Sequence, residues 1–129
     1  VVPHWDTVLH FFSGAMLGAL GFILVDLLNR SEKVRVQLSP LFVSLFAFCF
    51  ALAAGAVWEI YEYTVDGVMH LNMQKYATEA GVMLIGRAAL RDTMKDIIFD
   101  ALAALLVAAA GYVTNPRRKK EKSAEMNKN

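Results

Sequence analysis

Three sets of ionisable residues stand at helical spacing in this chain. Asp6 and His10 are four residues apart, Glu59 and Glu62 three apart, and Asp92, Asp96 and Asp100 recur at i, i+4 and i+8. On an α-helix such intervals place side chains on one face, and even the last set drifts only about 80° over two turns. Carboxylate oxygens joined by an imidazole nitrogen form a donor set for a divalent cation: Mg²⁺ or Mn²⁺ through the oxygens, with histidine shifting preference toward Mn²⁺ or Zn²⁺. The ligands expected from this pattern are Asp6, His10, Glu59, Glu62, Asp92, Asp96 and Asp100. The expected catalytic groups are His10 as proton carrier, Asp96 on the ion and Arg91 as a clamp for phosphate. Other chemistry is open to the same residues. The acids can pair with Arg87, Arg91 and Lys95, which lie close in sequence, or share protons in a relay. They can also be helix-end residues in headgroup water, those near the third helix favoured by its N-terminal dipole.

The elements that must position these groups are apolar. Of 129 residues, 57% are hydrophobic and only 19% charged, with 8 Gly, 3 Pro and 1 Cys, and the mean hydropathy is +0.42. Disorder, a collagen-like repeat and a disulfide scaffold are excluded by that composition. A soluble enzyme is disfavoured because the apolar residues concentrate in blocks of membrane-spanning length. Residues 8–28 and 41–61 each match the roughly 30 Å of a bilayer core at about 1.5 Å per residue. The second block follows Ser39-Pro40, a pair suited to a helix start because proline has no N–H to leave unsatisfied there. A third block, richer in alanine, spans 94–113 once residues before Ile97 are included. The fold class is therefore all-α, a polytopic membrane bundle with at least three transmembrane helices in a domain of 1–115. The chain opens Val1-Val2-Pro3 rather than on Met, so three is a minimum. A secretory signal is excluded for the first block, which lacks a basic n-region and a small-residue cleavage site.

Orientation follows from the basic residues. With three spans, the side holding Arg30, Lys33, Arg35, Arg117, Arg118, Lys119, Lys120, Lys122 and Lys128 carries nine, against Lys75, Arg87, Arg91 and Lys95 on the other. The C-terminus is expected in the cytoplasm, the location at the inner (cytoplasmic) membrane, and 116–129 as a disordered basic tail near anionic headgroups. All three sets of acids then fall at one depth on the extracytoplasmic side, where a carboxylate inside the hydrocarbon costs roughly 2.5–3.5 kcal/mol. Trp5, Trp58, Tyr61 and Tyr63 fit an aromatic belt at that depth. The extracytoplasmic connection, 64–93, carries an apolar run from Gly81 to Ile85, too short to span, that is expected to lie in the interface, to re-enter the outer leaflet or to form a helix over the spans. Gly14 and Gly18 form a GxxxG with Ser13 and Gly21 extending the small face, so close helix packing is expected, within the chain or in a helix-mediated oligomer. Cys49 is an inert small apolar residue and Asp26 a helix-end cap; His4 and His70 stand near the ends where a metal ligand has room. Nucleic acid is not an expected partner.

The segments Asp6-Thr7-Val8-Leu9-His10-Phe11, Trp58-Glu59-Ile60-Tyr61-Glu62 and Asp92-Thr93-Met94-Lys95-Asp96-Ile97 resemble the D-x-x-x-H-F, E-x-x-E and D-x-x-x-D pattern of the YjdF-like inner-membrane proteins. The stretch from Arg91 through Asp96 to Leu102 is also similar to the R…D-x-x-x-N-x-x-G stretch of VanZ-like membrane proteins, associated with glycopeptide resistance. Asp100 stands where that pattern has Asn, and Ala103 or Ala104 replaces its glycine. The resemblance carries Asp6, His10, Glu59, Glu62, Asp92 and Asp96 across and implies fold and location, with no established catalytic role for them. Three functions fit the residues. One is a metal-dependent membrane enzyme acting on a lipid-linked or headgroup substrate, with membrane lipid as partner. The second is a cation- or proton-handling transporter, and the third a noncatalytic assembly module whose buried ion pairs specify packing.

Overall fold

The computed structural model describes residues 5–30, 38–116, 123 and 126, and folds them into three helices: α1 (Trp5–Arg30), α2 (Pro40–Met69) and α3 (Arg87–Thr114). Lys33, Arg35, His4 and the basic residues of the expected tail lie outside the described residues. All three helices are long and apolar enough to cross a membrane. They also run beyond the expected spans: at 26, 30 and 28 residues and about 1.5 Å each, their ends reach past a 30 Å hydrocarbon core. Ser39 caps α2, its Oγ accepting from the Phe42 N–H at 3.2 Å, and Pro40 takes the first helical position.

Each helix is apolar around most of its circumference, so hydrophobic periodicity does not choose the inward face. Side-chain size and polarity do. The buried positions of α1 are His10, Gly14, Gly18, Gly21 and Val25. Those of α2 are Pro40, Ser44, Ala47, Ala51, Gly55, Glu59, Glu62 and Asp66. Those of α3 are Asp96, Asp100, Ala103, Ala104 and Ala108. Each set recurs at three or four residues, Ala103 and Ala104 together widening the stripe on α3, one stripe per helix. The large apolar side chains, such as Phe12, Met16, Leu41 and Leu106, point outward. In lipid there is no hydrophobic gain in hiding leucine from leucine-like chains, and small residues at the contact let backbones approach closely.

Around Asp100, two glycines are required by that approach. A Cβ on Gly14 would sit 2.8 Å from the Asp100 carbonyl oxygen and 2.9 Å from its Cα, and one on Gly55 would sit 2.6 Å from Asp100 Oδ2. Asp100 is thus held between α1 and α2. The Gly14–Gly18–Gly21 face is used inside the chain, Gly18 against Val107 and Gly21 against Ala47.

The connection is shorter than its apolar pattern suggests. α2 continues as helix to Met69 and α3 begins at Arg87, so residues 70–86 alone are non-helical. The Gly81–Ile85 run is no helix over the spans. It belongs to a hairpin-like turn in which Thr78 N donates to Val82 O and Leu84 N to Tyr76 O, both at 2.9 Å, with a single bridge between Ala77 and Met83. Gly81, at φ 77°, supplies the left-handed turn. Val82, Met83 and Ile85 are exposed there. The base of the loop is tied down. The Asp66 carboxylate accepts from the Met73 and Gln74 backbone N–H groups at 2.8 and 3.0 Å, and Gln74 Nε2 donates to Thr93 Oγ1 at 3.0 Å. Next to it, Lys75 Nζ donates to Asp6 of α1 and to Asp92 of α3, the latter at 2.9 Å. Burial alone would lower the pKa of Lys75; the hydrogen bonds to Asp6 and Asp92 outweigh it and leave the ammonium raised above its ordinary 10.5.

Two outcomes follow from this packing. Gly14→Ala should lower the thermal midpoint in detergent, with an overpacking cost of about 1–3 kcal/mol. Gly67→Ala, where a Cβ meets nothing within 4 Å, should be neutral or stabilising by up to about 1 kcal/mol; equal losses in both variants would contradict the helix contact. For the loop, a raised lysine contributes stability that is fully present below its unfolded pKa and is lost only as pH rises through the folded one. Hydrogen-exchange protection factors of residues 73–76 should therefore stay flat from about pH 7 to 10 and fall in Lys75→Gln; protection that declines across that window in the wild type would show the lysine is not held.

Candidate functional site

The site forms where the three polar stripes meet, at the end of the bundle that carries the α1 start, the α2 end and the α3 start. Its centre is His10, 6% exposed. Nδ1 lies 3.2 Å from Asp100 Oδ2. An ionised carboxylate only accepts, so Nδ1 carries the proton in that pairing, and a neutral imidazole then presents its lone pair at Nε2. Nε2 in turn lies 3.9 Å from Asp6 Oδ1 and 3.9 Å from Asp96 Oδ2. The three residues Asp6, His10 and Asp96 each offer a ligand atom, all within 4.8 Å of one another.

That arrangement suits a cation by several tests. Donors about 2.1 Å from a tetrahedral ion stand about 3.4 Å apart, so small side-chain rotations convert the observed separations into coordination. A carboxylate on the far nitrogen of a ligating histidine is the usual device for fixing its tautomer and raising its basicity. Among the described residues, Asp96 Oδ1 and Asp100 Oδ1 are buried without a hydrogen-bond partner, as are both carboxylate oxygens of Glu59, although buried polar atoms are nearly always satisfied. Asp6 divides its work, with Oδ2 held by Lys75 and Oδ1 turned toward His10. Lys95 Nζ stands 3.9 Å from Asp92 and 3.8 Å from Asp96.

The remaining expected residues take different places. Glu62 is buried and accepts from Trp58 Nε1 at 3.0 Å. It lines, with Asp6, His10 and Asp100, a cavity of about 480 Å³ whose other walls include Leu9, Leu17, Ala54 and Trp58. Asp92 is bound to Lys75 and belongs to the rim. Glu59 lies deeper, 4% exposed. Arg91 is not brought to the cluster: it is exposed and lines a separate cavity along α3 with Arg87 and Lys95. His70 caps the end of α2 in the left-handed conformation and is not in the metal-competent group among the described residues. Lys75, Gln74 and Asp66 were not among the expected site residues, yet they order the loop against it. Asp66 had a signal, since Glu59, Glu62 and Asp66 fall at i, i+3 and i+7 on one helical face.

Comparisons with known proteins agree on the class. An uncharacterised protein of Thermotoga maritima is 28% identical over 108 residues, which is 84% of this chain and 47% of that protein. The chain therefore spans about half the length of that relative. No solved structure matches. The family model described as "Predicted membrane protein (DUF2238)" matches residues 1–117, and the chain, with its three apolar helices, belongs to that family of membrane proteins.

Proposed function

We propose that this chain holds a divalent cation at Asp6, His10 and Asp96 and uses it as a membrane enzyme on a lipid-linked or headgroup substrate. The observation that carries the reading is His10 itself: Nδ1 engaged by Asp100, Nε2 facing two carboxylates at 3.9 Å. A bound cation would supply Lewis-acid polarisation of a phosphoryl or carbonyl oxygen. The adjoining cavity has a polar wall of Asp6, His10, Glu62 and Asp100 and an apolar wall of Leu9, Leu17 and Ala54, which suits an amphiphile with its head at the ion. Arg91 has no part in that cleft, so the cation and not the arginine is the group that would meet substrate phosphate there. Of the two resemblances, the YjdF-like pattern includes the ligands Asp6, His10 and Asp96, whereas the VanZ-like stretch touches α3 alone. The positive-inside count supports a cytoplasmic C-terminus and a site on the outer side of an inner membrane. With Gly14, Gly18 and Gly21 of α1 used inside the chain, any helix-mediated oligomer would have to form through other faces of the helices.

A second reading, proton or cation handling, is favoured by one observation. Glu59 is buried next to this cluster on the α2 stripe, and among the described residues neither of its carboxylate oxygens has a well-formed hydrogen bond, Gln74 and Thr93 being the nearest polar groups, as suits a group that takes up and releases a charge partner.

Equilibrium binding of Mn²⁺ to the protein in nanodiscs tests the first reading. About one ion should bind per chain, with binding lost in Asp96→Asn and in Asp6→Asn, the latter side chain being 38% exposed and so the least disruptive to replace. Asp100→Asn should keep the stoichiometry while weakening affinity by roughly 10–100-fold, the usual penalty for removing the outer partner of a ligating histidine. Absence of saturable binding in a folded wild type would remove the metal enzyme and leave the second reading.

A further inference from the structure

The geometry points to a second binding site, separate from the cation cluster: a groove on the outward side of α3 that holds the phosphate of an anionic phospholipid from the surrounding membrane. Arg87, Arg91 and Lys95 recur at i, i+4 and i+8, so they form one basic stripe, and Leu90, Met94 and Ile98 form a parallel apolar stripe about 60° away around the helix. All six line one cavity of about 520 Å³. Among the described residues no carboxylate lies within ion-pair distance of Arg87 or Arg91, although guanidinium groups in this setting are expected to be paired when acids are as abundant as they are here. The nearby acids pair instead with Lys75, His10 and Lys95. Two guanidinium groups, Arg87 and Arg91, are left exposed with no protein anion opposite them among the described residues, while Lys95 at the end of the stripe is shared with Asp92 and Asp96.

The position in the membrane fits the same occupant. Residues 87–95 are the first turns of a helix that outruns a bilayer core, so they stand where headgroup phosphates lie, while Ile98 continues into the hydrocarbon. Among the described residues no side chain caps α3: Gly86 precedes it at φ 60° with no side-chain hydrogen bond. The free N–H groups and positive dipole end of α3 therefore add to the arginines in favouring an anion. Arginine forks match phosphate oxygens in pairs, and the apolar stripe accepts the first part of an acyl chain. A zwitterionic lipid would bring its own cation against the stripe. Charge thus selects an anionic headgroup.

This site does not rest on the cation reading, and its test is run with chelator present. The full chain, delipidated in detergent and incubated with phosphatidylglycerol or phosphatidylcholine, is assayed by native mass spectrometry for retained lipid. The wild type should retain phosphatidylglycerol in preference, and each of Arg87→Gln and Arg91→Gln should reduce that retention by about fivefold, as expected for removing one basic residue at a charged surface. Arg87→Lys with Arg91→Lys should keep most of the preference over phosphatidylcholine, and Asp6→Asn, which removes a ligand of the other site, should keep all of it. Equal retention of the two lipids by the wild type would overturn the proposal. So would an unchanged phosphatidylglycerol preference in the glutamine variants, whose exposed positions leave the fold intact.

Discussion

A carboxylate and an imidazole buried between apolar helices are costly unless each satisfies the other, and the His10–Asp100 contact meets that condition across 90 residues of sequence. Asp100 lies 13 residues into α3, about 20 Å from its start, too deep for headgroup water. To reach His10 it must pass between α1 and α2, and there is room only because Gly14 and Gly55 have no Cβ. The glycines, the acid and the histidine form one constraint. Removing the side-chain space or the charge partner leaves the other part unexplained.

The electrostatics of the rest of the site follow from that arrangement. Asp6, Asp92 and Asp96 gather around the same end of the bundle, with Glu59 and Glu62 on the facing stripe of α2. Against these acids stand Lys75 and Lys95, and His10 when protonated. A low dielectric magnifies the excess negative charge. The protein offsets part of it by folding Lys75 back from the loop and setting Lys95 3.8 Å from Asp96, and the buried Asp100 Oδ1, without a hydrogen-bond partner among the described residues, marks where the compensation is incomplete. The site is therefore assembled with more acids than cations around it, an arrangement that suits an incoming cation or proton.

Much of this was legible in the sequence. The apolar blocks located three helices, Ser39-Pro40 marked the start of α2, and the glycine spacing on α1 marked its contact face. The i, i+4 spacing of Asp6 with His10, and of Asp96 with Asp100, put into one stripe the residues that the fold brings into one cluster. Arg91 was a different matter. Helix arithmetic puts it about 140° around α3 from Asp96 and 180° from Asp100, so its outward position was contained in the sequence but obscured by its nearness to the aspartates along the chain. Lys75 was not legible at all. Its role depends on how a 17-residue connection, 70–86, turns back over the bundle, and that is set by Asp66 and Gln74 bonding to backbone and to Thr93, contacts with no periodic signature.

The near absence of a hydrophobic face on each helix has the same origin. A soluble bundle gains by hiding leucine and phenylalanine, so its helices segregate apolar from polar residues. In a bilayer that gain is absent, and helices associate through close contact and polar pairing. Once His10, Asp96 and Asp100 need enclosure, the contact face must be narrow, which assigns glycine and alanine to the interior and sends Phe12, Met16 and Leu106 to the lipid. Segregation by size replaces segregation by hydropathy. The start of α3 shows the limit of the rule: Arg87 and Arg91 are exposed and face away from the cluster, while Lys95, one turn further on, lies within ion-pair distance of Asp92 and Asp96.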